Sequence, residues 1–203
     1  MSLLISKIVS SIVQIIVFSL IPFIGWIVTA RKEQNFFEWI GLKKIGGKEN
    51  KPMLWVAGIS VAFMLISVFM LYLIRNVESA TSDFQGLGAA AIPAILVYAI
   101  FNTALSEEIV FRGFLLKRIA NKFGFFAGNT IQALLFGILH GIMFFSTVGV
   151  IKAILIILFT GAIGWFMGYT NEKEAEGSIL PSWCIHSIAN IFSGVCSAFV
   201  LIA

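Results

Sequence analysis

The chain has 203 residues, 59% of them hydrophobic and only 12% charged, with a net charge of +4. Water-soluble domains carry about 25% charged residues, so a soluble core is excluded: nothing in the composition would form its polar shell. The positive charge is modest and unevenly spread, so it bears on membrane topology and not on nucleic acid, which is not an expected partner.

The apolar residues come in blocks long enough to cross a hydrocarbon core, which takes roughly 20 helical residues. Residues 8–30 are the first block, too long for a signal peptide and interrupted only by Pro22 and Gly25. A polar loop over 31–52 carries Arg31, Lys32, Lys43, Lys44, Lys48 and Lys51, and Gly46-Gly47 and Pro52 punctuate its end. Residues 53–74 form a second span closed by Arg75. A short polar connection with Glu78, Asp83, Gly86 and Gly88 follows.

Residues 89–122 begin apolar and then carry Glu107, Glu108, Arg112, Lys117, Arg118 and Lys122 at helical spacing. One long helix leaving the membrane fits this pattern. Gly124 and Gly128 suit a turn, and the chain re-enters through Asn129 and Gln132 into an apolar run ending at Val150. A further span covers 151–170, a charged loop fills 171–177, and Pro181 opens the last span. The expected fold is all-α: a polytopic bundle of six transmembrane spans, with a long helical hairpin over about 92–145. A single membrane domain over 1–203 is expected, in which 1–88 carry no motif and 89–203 form the functional core.

The loops at 31–52, 112–122 and 171–177 hold eleven of the fourteen Lys and Arg residues. The positive-inside rule puts them on one side, in the cytoplasm, with both termini outside. The expected location is a bacterial plasma membrane. Cys184 and Cys196, twelve apart on one helix, would stand about 18 Å from each other and cannot pair.

Two adjacent carboxylates and an arginine are costly at membrane depth, and such groups mark functional sites by default. The chain has only two histidines, His140 and His186, both in apolar segments. Glu107 lies sixteen residues before Phe123 and His140 seventeen after it. Each is therefore roughly 25 Å from the hairpin tip, and antiparallel helices bring them level. His186, seven residues past Ile179, sits about 10 Å below the same surface. These residues thus converge on one layer nearer the cytoplasmic face.

Spacing also separates roles. Glu108 and Arg112 are four apart and share a helix face, as an ion pair requires. Glu107 points about 100° away and stays free for chemistry. His186 and Asn190 are likewise four apart. The bland alternatives are packing for a lone histidine in an apolar helix and an interhelical hydrogen bond for Asn190. Gly137/Gly141 and Gly164/Gly168 read as close helix packing, Lys152 as a snorkelling side chain, and Trp26, Trp39, Trp55, Trp165 and Trp183 as interfacial anchors.

Three motifs in order, Glu107-Glu108-x-x-x-Arg112, Phe136-Gly-Ile-Leu-His140 and His186-Ser-Ile-Ala-Asn190, resemble those of the CAAX protease and bacteriocin-processing family of intramembrane endopeptidases. The resemblance covers roughly residues 90–203. It implies that Glu107 and His140 activate a water while His186 and Asn190 hold the oxyanion; the spacing leaves Glu108 and Arg112 as structural support. Water activation needs a base, and burial is what makes a carboxylate more basic. Preoriented donors would meet the developing oxyanion.

Other membrane proteases lack their requirements here. Asp83 is the single aspartate, no His-Glu-x-x-His helix occurs, and no Gly-x-Ser-x-Gly elbow holds a serine. No cofactor is expected, with zinc on the glutamates and histidines as the chemical rival. The expected partners are membrane lipid and a peptide or protein substrate reaching the site from the cytoplasmic side. The alternative from another class is a non-catalytic membrane partner, a bacteriocin immunity protein or a regulator of a sensor.

Overall fold

A computed structural model describes residues 2–47, 50–75 and 77–202. Lys48, counted above with the lysine-bearing loop, lies outside the described residues. The described chain is mostly helical and contains no strand. Four helices are long and apolar enough to cross a membrane. The all-α bundle is therefore as expected, whereas the six expected spans are not matched one for one.

Helix α1, Leu3–Thr29, starts at Ser2, whose hydroxyl accepts from the Ile5 amide, and keeps most of its apolar surface exposed. Surface of that kind faces lipid in a membrane protein. A one-turn helix α2, Phe36–Trp39, is capped by Asn35. Helix α3, Lys51–Leu73, has Pro52 in its first turn, where the missing N–H costs nothing.

Helix α4 runs from Gly88 to Phe123 and is not a regular α-helix. It widens into π-helix over Tyr98–Leu105 and again over Ile109–Leu116, and α-helical Ser106–Glu108 lies between. Such widened turns are rare and recur at functional sites. Gly124, with φ of +83°, ends α4 and reverses the chain.

Helix α5, Phe125–Tyr169, is two helices joined at Gly149, whose φ of +77° and ψ of 173° are not helical. The two arms, 125–148 and 150–169, lie against each other. A Cβ on Gly137 would stand 2.5 Å from the Ile157 carbonyl oxygen, and one on Gly164 would press on Phe136 and Arg112. These glycines pack helices within the chain, as small residues do in membranes. A π-helical turn, Thr170–Glu174, continues the second arm. Helix α6, Leu180–Ala198, completes the bundle. The difference from six spans thus lies at the fold-back of α5 and at α6, which carries a polar face.

The bundle has two distinct ends. At one, the three lysine-bearing loops meet. Lys117 bonds Glu172 at 2.6 Å and the Gly177 carbonyl at 2.7 Å, Ser178 donates to the Lys43 carbonyl, and the Ile179 amide donates to the Gly41 carbonyl. At the other, Lys7 pairs with Asp83 at 2.8 Å, and Lys152 caps the Leu73 carbonyl. Trp39 departs from the anchoring expectation. It is buried under the Arg118 guanidinium, 3.9 Å from its ring.

Candidate active site

Helix α4 supplies the carboxylates. Glu108 and Arg112 are both fully buried, and Arg112 Nη1 donates to Glu108 Oε1 at 2.8 Å. The guanidinium also lies over the Phe136 ring, 4.3 Å from its centroid. An arginine is tolerable at this depth because a carboxylate and an aromatic face both compensate its charge.

Helix α6 brings His186 onto the same carboxylate. His186 Nδ1 lies 2.9 Å from Glu108 Oε1, and its Nε2 lies 3.7 Å from Glu107 Oε2. One oxygen of Glu108 thus serves both a buried arginine and a histidine of another helix. The sequence assigned Glu108 to Arg112 alone; its second partner carries no signature in the spacing.

The first arm of α5 brings His140. Its Nδ1 is 2.9 Å from the Phe136 carbonyl oxygen. A carbonyl can only accept, so Nδ1 carries a proton, and in the neutral ring the lone pair is the one on Nε2. Phe136 also links the histidines: its ring centroid is 4.4 Å from that of His140 and 5.9 Å, edge to face, from that of His186. Asn190, one turn past His186, donates through Nδ2 to the Thr103 hydroxyl at 2.6 Å. Thr103 hydrogen-bonds in turn to the Tyr98 carbonyl inside the first π-helical stretch.

His140, His186 and Asn190 line one cavity of about 190 Å³, walled otherwise mainly by apolar residues such as Phe63, Phe136 and Phe159, with the hydroxyl residues Ser67, Thr160 and Ser193. Glu107 borders His186 but is not among the lining residues. All six residues singled out in the sequence therefore gather at or beside one cavity. Sequence reasoning missed Thr103, a lone hydroxyl in an apolar run. It also missed the buried amides above the site. Asn171 clasps Ser182 through its Nδ2 and Oδ1, and Asn129 and Gln132 donate to the Trp165 and Gly164 carbonyls. Among the described residues no group of three or more His, Cys, Asp or Glu side chains is placed to hold a metal ion.

Long apolar helices enclosing buried ionisable groups define an integral membrane protein with an interior polar site. A family model described as type II CAAX prenyl endopeptidase Rce1-like matches residues 88–192, just over half of the 203 residues. The chain belongs to this family of membrane proteases, and the matched stretch contains every candidate residue named above. Neither the curated proteins nor the solved structures provide a match to the chain.

Proposed function

We propose that the protein is a multi-pass endopeptidase of a bacterial plasma membrane that hydrolyses a peptide bond with an activated water. The observation that carries this reading is the convergence of Glu107, Glu108 and His186 beside a cavity whose wall also holds His140 and Asn190. Glu107 and the free Nε2 of His140 take the proton of a water as its oxygen attacks the scissile carbonyl. The carbonyl π electrons move onto oxygen, and that oxyanion is met by the Asn190 amide and His186. His186 already gives Nδ1–H to Glu108, so it donates at Nε2 only when the ring holds both protons. Collapse of the intermediate returns the proton to the leaving amine.

Within this reading Glu108 and Arg112 hold His186 and take no part in proton transfer. The lysine-bearing end faces the cytoplasm, and the chain acts as one membrane domain. No step runs through a metal, and a peptide or protein is the substrate.

The test is hydrolysis by the purified protein of a library of peptides, plain and prenylated, with and without a zinc chelator. Glu107→Gln and His140→Ala should abolish turnover while yield and melting temperature stay at the parent level. Asn190→Ala should cost about 10²–10³-fold in kcat, the loss typical of an oxyanion donor. Full turnover by Glu107→Gln would overturn the role assignment. Protection of cells against a bacteriocin that survives Glu107→Gln would favour an immunity protein instead.

A further inference from the structure

The site is sealed toward the lysine-bearing loops and open the other way. On the loop side of His186, residues Glu108, Arg112, Asn171, Ser178 and Ser182 are all fully buried. Above them, the bonds of Lys117 to Glu172 and Gly177 and of Gly41 to Ile179 tie the loops over the top.

On the other side, α6 presents a polar stripe. His186, Asn190, Ser193 and Ser197 follow at steps of four, three and four, so they share one helix face. The cavity lined by His186 and Asn190 extends along this stripe to Leu71, Ile74 and Ser193. The same three residues line a second cavity, a cup at the Lys7–Asp83 end whose wall includes Arg75, Ser79, Thr81, Ser82, Gln85 and Ser197. Polar side chains at membrane depth are tolerated where they line water-filled space. The two cavities thus have Leu71, Ile74 and Ser193 in common in their walls, and the polar stripe of α6 runs along both.

We infer that the site communicates with water through this cup, so that water, and any polar end of a bound chain, reaches His140, His186 and Asn190 from the end opposite the lysine-bearing loops. Ser193 stands one turn beyond Asn190 in the wall common to both cavities. With the lysine-bearing end in the cytoplasm, access is from the outer face. The sequence alone suggested the reverse, because depth counted from the nearest loop says nothing of which way a cavity opens.

The test is one-sided thiol labelling in proteoliposomes. The chain carries Cys184→Ala and Cys196→Ala, and single cysteines are introduced as Ser193→Cys, Ser197→Cys or, as the marker of the lysine-bearing end, Glu33→Cys. A charged, membrane-impermeant thiol reagent is applied to one face at a time. Ser193→Cys and Ser197→Cys should react from the face on which Glu33→Cys is silent. Reaction of Ser193→Cys from the Glu33 face, or from neither face while Ser197→Cys reacts, would overturn the path. The readout needs no substrate, so the path can fail or stand apart from the hydrolysis proposed above. If hydrolysis is found, Ser193→Trp should stop it, while Leu96→Trp on the exposed flank of α4 should leave it unchanged.

Discussion

Glu108 Oε1 accepts from Arg112 and His186 at once, which separates stability from activity in a measurable way. Glu108→Ala leaves a buried guanidinium unpaired and should cost about 3–5 kcal/mol, read as a lower melting temperature in detergent. Adding Arg112→Leu removes that orphan charge and should restore most of the stability, since apolar replacements of buried pairs are often neutral. Activity should not return, because His186 would still lack the acceptor that holds its Nδ1. The Asn190–Thr103 bond makes a second, finer test. Thr103→Val leaves the Asn190 amide free to swing and should lower kcat by up to about 10²-fold, the cost of a misplaced group. Thr103→Ser keeps the hydroxyl and should keep the rate. Nothing in the sequence singled out Thr103, because one hydroxyl among apolar residues has the same appearance whether it bonds its own helix or another.

The hairpin of α4 with the first arm of α5 is the element that organises the site. Its tip at Gly124 was legible from the charges before it and the amides after it, and counting residues is what led to the expectation that Glu107 and His140 stand level. The π-helical stretches on either side of Ser106–Glu108 were not legible, since a widened turn has no composition of its own and only the hydrogen-bond register distinguishes it. The second hairpin, within α5, depends on small residues. Gly137→Leu would drive a side chain into the Ile157 carbonyl and should destabilise by about 1–3 kcal/mol, seen as a shifted thermal transition. The stretch 171–177 read only as a charged loop, yet Asn171 is fully buried and Glu174 nearly so. Charge alone could not reveal that neighbouring helices supply partners, Ser182 of α6 for Asn171 and Lys51 of α3 for Glu174.

Across the whole molecule, one end is knotted by polar contacts and the other is cupped. Lys117→Ala should open the knot, giving up charged hydrogen bonds worth about 1.5–3 kcal/mol, and expose the segment 171–177 to added protease that the parent resists. The i,i+4 placement of Glu108 and Arg112 has a consequence for how the protein is made. Helix α4 leaves the ribosome well before α6, so His186 does not yet exist when the segment must partition into lipid. Arg112 carries its neutralising partner on the same helix, formed as soon as one turn winds. The insertion machinery therefore meets a nearly self-compensated segment, and Glu107 alone waits for the last helix to arrive.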